Sequence, residues 1–169
     1  MKKKLLRITL ASIMCLSLIL PASASNQRAT NKEYEGAPYT CTVNNYSYRS
    51  WSALYASGTR FHATTYTQTT DGRDAPAGYM KLQARLCDST GAVRMASTTR
   101  TTSNATHLEF VNTNTWGAHA AYSWGWAAFK DESGGYSGGD LPATELVYST
   151  RSAAASNLET TLNKLEATL

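Results

Sequence analysis

Residues 79–95 read YMKLQARLCDSTGAVRM and carry the clearest structural pattern of this chain. Apolar and polar residues alternate strictly through their first half: the apolar set is Met80, Leu82, Ala84 and Leu86, and the polar set is Lys81, Gln83 and Arg85. A period of two is typical of a β-strand with one buried face. Turn-forming residues follow at positions 88–91, and apolar alternation then resumes. The pattern predicts a β-hairpin over residues 79–99.

Short stretches rich in Thr, Tyr and Val recur from Tyr39 onward, and Gly, Asn, Asp and Ser breaks separate them. We expect further strands at residues 40–48, 60–69, 107–111, 118–130 and 144–150. Many short strands with such breaks favour antiparallel sheets over parallel units joined by helices. The predicted fold class is mainly β, an antiparallel β-sandwich or barrel over residues 39–151. The sequence does not choose between these two architectures.

Residues 1–24 have the features of a secretory signal peptide. Four basic residues come first, an apolar run follows at residues 8–20, and Pro-Ala-Ser-Ala ends the segment with small residues. Its removal takes four of the 16 basic residues away and leaves 12 against 12 acidic ones. A formally neutral mature chain gives no support to a nucleic-acid partner. We expect a secreted, extracellular protein without a stable membrane anchor, in which the polar residues 25–38 form a flexible leader.

Two cysteines, Cys41 and Cys87, remain outside the signal peptide. An even pair in an exported chain indicates a disulfide bond. Closing that loop would stabilise the fold by about 4 kcal/mol if its effect is on the entropy of the unfolded chain. Two buried free thiols are the alternative.

The C-terminal residues 152–169 change to a helical period. Ser156 and Glu159 have the spacing of a capping box. Four leucines then recur on one stripe, at positions 158, 162, 165 and 169. The pattern predicts a short amphipathic helix. Because a lone helix of this length is marginal in water, it should pack on the β domain or on a partner.

An aromatic row is the best candidate for a binding site. A strand over residues 118–130 would place Tyr122, Trp124 and Trp126 on one face and small residues on the other. Such a row either fills the core or forms a platform for sugar rings, peptides or lipid interfaces. Gly125 between the two tryptophans indicates a close approach of backbone or ligand.

The sequence supports catalytic motifs less strongly than it supports the aromatic row. The segment Gly135-Tyr136-Ser137-Gly138-Gly139 resembles the nucleophile loop of chymotrypsin-like serine proteases, with Tyr136 in place of their Asp. With His62 and Asp74 upstream, it makes a serine hydrolase using Ser137 a remote alternative to an ordinary hairpin loop. The three histidines and two cysteines lack metal-ligand spacing. We therefore predict no metal, no cofactor and no catalytic residue.

Residues 76–86, with the Gly-containing turn and the Ser/Thr-rich strand that follow, resemble a group of small exported proteins of Gram-positive bacteria without established activity. Residues 116–129 are similar to the lactococcin-type bacteriocins, which are secreted, aromatic-rich β proteins. We expect a secreted, non-catalytic protein that binds an extracellular ligand, a cell-wall glycan or a protein, through Tyr122, Trp124 and Trp126. The alternative is a secreted antimicrobial protein.

Overall fold

The computed structural model describes residues 32–149, and this part of the chain contains strands and no helix. All strand pairs are antiparallel. The strands are β1 (Lys32–Glu35), β2 (Tyr39–Val43), β3 (Tyr46–Ser57), β4 (Arg60–Thr69), β5 (Met80–Gln83), β6 (Arg85–Cys87), β7 (Val93–Ala96), β8 (Arg100–Thr101), β9 (Leu108–Asn112), β10 (Trp116–Gly117), β11 (Ala120–Ser123), β12 (Trp126–Lys130), β13 (Tyr136–Asp140) and β14 (Val147–Tyr148).

A six-stranded sheet is built around the long β3–β4 hairpin. Its order is β1-β3-β4-β10, with β2 also paired to β3 and β9 also paired to β4. The predicted strand at residues 60–69 is confirmed with the same bounds as β4. The predicted strand at residues 40–48 is instead a hairpin of β2 and β3, because Asn44 and Asn45 both take positive φ and turn the chain.

Two four-stranded sheets, β14-β11-β6-β7 and β13-β12-β5-β8, make up the rest of the fold. The same two stretches of chain, residues 80–87 and 120–130, run through both. Tyr122 lies opposite Cys87 and Trp126 lies opposite Gln83, so the pairing keeps one register across the junction. The strands predicted at residues 79–87 and 118–130 are thus each divided in two. One division falls at Ala84, whose backbone amide bonds to the Ser97 hydroxyl.

The core lies between the six-stranded sheet and these two sheets. The alternation predicted for residues 80–86 is confirmed, since all four apolar side chains on that face are fully buried. Tyr48 of β3 stacks on Phe129 of β12, with ring centroids 4.1 Å apart. The middle of the layer is polar: Ser50 and Thr67 share a buried hydrogen bond of 2.7 Å. The hairpin of β6 and β7 is also confirmed, although Val93 is exposed because β7 is an edge strand.

The sheets are open, so the barrel alternative is wrong. The predicted signal peptide and the predicted C-terminal helix at residues 152–169 lie outside the described residues, and so do residues 25–31 of the predicted leader. No helix in the described range 32–149 is long and apolar enough to cross a membrane.

The prediction of a flexible leader is wrong for residues 32–35, which form β1 along the edge of β3. Tyr34 is buried, and the Gly36 amide donates to the Ser52 carbonyl at 2.8 Å. Main-chain hydrogen bonds and the buried Tyr34 ring hold this segment. Because neither requires an apolar segment, its polar composition did not indicate a strand.

The predicted disulfide between Cys41 and Cys87 is also wrong, because both are free thiols. Cys41 belongs to β2 and packs against the core from the six-stranded sheet. Cys87 belongs to β6 in the other layer, and it lies opposite Tyr122. Residues opposite each other share a face, so Cys87 is on the outward side of its layer and Cys41 on the inward side of the other. The backbone of the β6–β11 layer separates the two thiols.

Candidate functional site

The aromatic row lies on the outward face of its layer and is not core. Tyr122, Trp124 and Trp126 are each partly exposed and belong to no part of the hydrophobic cluster. The alternating small residues Ala121, Ser123, Gly125 and Ala127 are buried. Trp116, just upstream, differs from the row because it packs against the core.

Close approach of the six-stranded sheet explains this orientation. A Cβ at Gly125 would collide with the Thr65 hydroxyl and lie 3.0 Å from the Ser52 hydroxyl oxygen. The Gly125 amide donates to that Ser52 oxygen at 2.8 Å. Only a small face fits so near the opposite sheet, so the large rings of the same strand must point away. A close approach at Gly125 is present, but side-chain atoms of Thr65 and Ser52 make it, and not the backbone or ligand that the sequence indicated.

Charged and amide side chains on the neighbouring strands frame the row. Arg85 continues the register opposite Trp124, with its guanidinium carbon 5.1 Å from the centroid of the Trp124 ring. The same guanidinium donates to Asp140 at 2.8 Å and to the Gln83 side-chain oxygen at 3.1 Å. Asp140 and Gln83 lie directly opposite Trp126 on either side. Arg85 therefore links the polar groups around both tryptophans.

One end of the row rests on the hairpin of β6 and β7. Tyr122 and Cys87 are hydrogen-bonded neighbours. Burial raises the pKa of the Tyr122 phenol, and the adjacent Cys87 raises it further. Burial also raises the pKa of the Cys87 thiol, while the hydrogen bond with Tyr122 opposes that rise. Both groups are therefore neutral near pH 7, and neither is an activated nucleophile.

The aromatic and basic surface continues beyond Trp126. The Lys81 ammonium lies 3.7 Å from the centroid of the Tyr136 ring, and the Tyr136 hydroxyl donates to the Gly78 carbonyl at 2.6 Å. Sequence reasoning missed Arg85, Asp140 and Tyr136. The period of two at residues 80–86 did place Arg85 on the polar face, but nothing local indicated that β13 lies beside β12.

A second aromatic set occupies the outward face of the six-stranded sheet. Trp51 and Tyr66 stack with centroids 4.9 Å apart, and Tyr66 lies 5.9 Å from Phe110. Trp51 and Tyr66 each cover one face of the other, whereas Phe110 is exposed. Within the described chain, no ring-to-ring contact of this kind involves Trp124 or Trp126. The faces of those two indoles are not taken up by neighbouring aromatic rings.

The three residues of the remote hydrolase alternative are Ser137, His62 and Asp74. Their contacts are with other residues and not with one another. Ser137 is exposed and its hydroxyl donates to Asp131 at 3.3 Å. Asp131 also accepts from the Ser133 hydroxyl and the Gly135 amide, as expected of a loop-closing carboxylate. Asp74 pairs with His107, and His62 stacks on Tyr55.

Within residues 32–149, no group of three His, Cys, Asp or Glu side chains could hold a metal ion. The sequence matches no protein-family model, and no curated protein is significantly similar to it.

Proposed function

We propose that this chain is a secreted, non-catalytic β-sandwich that binds a cell-wall glycan through Tyr122, Trp124 and Trp126. The observation that carries the proposal is the outward orientation of the row on a strand whose other face is fully buried. Burying a large aromatic side chain is worth several times the thermal energy, and a purely structural strand would place its tryptophans inside. Their cost at the surface is offset when a ligand covers them.

The residue types around the row support a binding role. Tryptophan, tyrosine and arginine are the residues most enriched where binding energy concentrates. Arg85 holds Trp124 by a cation–π contact, worth about 0.5–1 kcal/mol at an exposed site. It also orients Asp140 and Gln83, so the platform is organised before a ligand arrives. A preorganised surface loses less conformational entropy on binding.

The combination of ring faces and hydrogen-bonding groups favours a sugar. Aromatic faces contact the C–H faces of pyranose rings, and the Asp140 carboxylate accepts hydrogen bonds from hydroxyl groups. The side chain of Asp140 is about half exposed, at 47%. It therefore retains acceptor capacity beside its ion pair with Arg85.

Sedimentation with isolated, protease-treated cell walls tests the proposal. The mature chain should co-sediment, and soluble wall polysaccharide should compete. A Trp124→Ala, Trp126→Ala variant should lose at least about tenfold in affinity, because each truncation removes a large contact area at the centre of the platform. Thermal unfolding of the same variant should stay close to that of the parent, since neither ring belongs to the core.

Phe110→Ala is the matched control. Phe110 is an exposed aromatic residue, at 48%, in a strand of the opposite layer. Its removal should leave wall binding unchanged. Equal loss in the control and in the double variant would contradict the proposal, and so would full retention of binding by the double variant. Binding that disappears when the walls are protease-treated would assign the platform to a protein partner instead.

A further inference from the structure

A continuous set of aromatic and apolar side chains lies on the outward face of the six-stranded sheet. We call it the aromatic face, and its members are Trp51, Tyr55, His62, Tyr66, Leu108 and Phe110. The Tyr55 ring stacks on His62 with centroids 4.7 Å apart, and the Tyr55 hydroxyl is hydrogen-bonded to the Tyr66 hydroxyl at 2.7 Å. Tyr66 in turn contacts Trp51 and Phe110. These side chains therefore form one surface across β3, β4 and β9.

Two parts of the aromatic face are open. On β9, Leu108 and Phe110 are 41% and 48% exposed. Near the β3–β4 turn, Tyr55, His62 and Arg60 line a groove of about 460 Å³. Large apolar side chains exposed next to one another, beside stacked rings and a groove, are typical of a surface that another segment or molecule covers.

Net charge does not select what covers this face. Glu33 and Glu35 of β1 border it on one side, and the register places Arg49 and Arg60 on the same face of β3 and β4. The charges around the face therefore balance. Residues 150–169 are also formally neutral, with two basic and two acidic residues. Apolar contact, and not ion pairing, is thus the available source of affinity between the two.

The last described residues of the chain lead towards the groove. β14 runs antiparallel to β11, so it passes from the level of Ala121 towards His119. The Ser149 amide donates to the His119 carbonyl at 2.7 Å. Ala118, the residue before His119, donates its amide to the Thr59 carbonyl in the β3–β4 turn at 2.9 Å. β14 thus directs the chain towards the turn end of the aromatic face and away from the aromatic row of β11 and β12.

The predicted leucine stripe fits this face in reach and in length. Leu158 follows Ser149 by nine residues, which span up to about 30 Å when extended. As a helix, residues 158–169 would be about 17 Å long. Along β4, the aromatic face extends from His62 to Tyr66 over about 13 Å. The stripe can therefore start beside the groove and cover the face.

We propose that residues 156–169 form an amphipathic helix whose leucine stripe packs on the aromatic face of the same chain. Leu108 and Phe110 contact the stripe from β9, and the stacked Tyr55 and His62 rings contact it beside the groove. Burial of the leucines supplies the stabilisation that a helix of this length lacks in water. The contact is in the opposite layer from the aromatic row, so it does not depend on the proposed wall binding.

Photo-crosslinking of the mature chain tests where this segment lies. The photoreactive residue p-benzoylphenylalanine replaces Phe110, and mass spectrometry identifies the crosslinked peptide. We expect a crosslink to residues 152–169 within one chain, with the same yield at low and at high protein concentration. The control probe replaces Tyr136, which is 37% exposed on the other layer, and it should not label that segment.

Serine substitutions test whether the stripe stabilises the fold. A Leu162→Ser, Leu165→Ser variant should lower the Tm by at least about 5 °C, because two leucines lose their burial. Thr160→Ser, Asn163→Ser is the matched control, since both positions fall on the opposite side of the predicted helix; its Tm should stay within about 2 °C of the parent. Phe110→Ala should lower the Tm less in the leucine variant than in the parent, because its contact is then already lost.

Three results would overturn the inference. The first is a crosslink from position 110 to a second chain that increases with protein concentration, which would assign the face to a dimer. The second is no crosslink from position 110 to residues 152–169, or labelling of that segment from position 136 instead. The third is an equal Tm of the leucine variant and its control, or strict additivity of the leucine variant with Phe110→Ala.

Discussion

Replacing Gly125 by alanine tests the packing that turns the aromatic row outward. The new Cβ would collide with the Thr65 hydroxyl and lie 3.2 Å from the Thr65 Cβ. Both residues are buried, and the Thr65 hydroxyl is held by a 3.0 Å hydrogen bond to the Gln83 carbonyl. The clash therefore cannot be relieved by rotating a free side chain into solvent.

The magnitude follows from two effects. Overpacking a well-filled core by one methyl group costs about 1–3 kcal/mol. Displacing the Thr65 hydroxyl from Gln83, or the Gly125 amide from Ser52, adds about 1 kcal/mol for a buried hydrogen bond. We expect Gly125→Ala to lower the free energy of unfolding by about 2–4 kcal/mol. For a domain of this size, that corresponds to a fall in Tm of roughly 4 °C for each kcal/mol.

Urea denaturation followed by circular dichroism measures the effect. Gly139→Ala is the matched control, because Gly139 is also a strand glycine but has nothing within 4 Å of its Cβ position. It should change stability by less than about 0.5 kcal/mol. In a double-mutant cycle, Thr65→Ala should recover about 1 kcal/mol of the loss, since it removes the colliding oxygen. Stability of Gly125→Ala within 0.5 kcal/mol of the parent, or strict additivity in the cycle, would refute the packing argument.

Three further predictions concern the thiols, the β6–β7 turn and the core. In the mature chain, both Cys41 and Cys87 should react with a thiol reagent after unfolding without reductant. In the native state Cys41 should react faster, because Cys87 is fully buried. Fewer than two reactive thiols in the unfolded chain would contradict the structure. Hydrogen bonds from Thr90 and then Arg94 hold the pKa of Asp88 below its usual range, so its stabilisation is present above the ordinary aspartate pKa and is lost as pH falls through the depressed value. Asp88→Asn should accordingly show a smaller drop in Tm between pH 7 and pH 2 than the parent, whereas an equal drop would exclude this role. Tyr48→Phe should leave stability unchanged or raise it by about 1 kcal/mol in chemical denaturation, because the buried Tyr48 hydroxyl has no hydrogen-bond partner in the described chain; a loss above 1 kcal/mol would show that it has one.

The local sequence pattern predicted well where strands occur, but it predicted poorly which strands pair with one another. The alternation at residues 80–86 reflects the geometry of a single strand, so it identified the buried face independently of the strand's partners. The change of neighbours at Ala84 depends on Ser97, which lies 13 residues away, and nothing in the strand itself marks it. The polar segment at residues 32–35 was missed for the same reason, because edge pairing needs only backbone groups.

The candidate site was likewise predicted only in part: its residues followed from local pattern, but their orientation and their neighbours did not. The sequence identified the aromatic row and its small opposite face, but both a buried and an exposed row satisfied that pattern. Arg85 and Asp140 could not be joined from the sequence, since 55 residues separate them and only the pairing of β12 with β5 and β13 brings them together. The predicted disulfide failed because spacing does not show that Cys41 and Cys87 lie in different layers.

Local residue patterns were enough to predict a mainly β chain, the side chains that share a face of a strand, and the positions of several turns. Those properties depend on neighbouring residues and on backbone geometry alone. Tertiary packing turns Tyr122, Trp124 and Trp126 outward, keeps the two cysteines apart, and puts Arg60 and His62 at the border of a groove. Each of these depends on which sheet packs against which face. Contact between distant residues fixes that choice, as the approach of Thr65 to Gly125 does here.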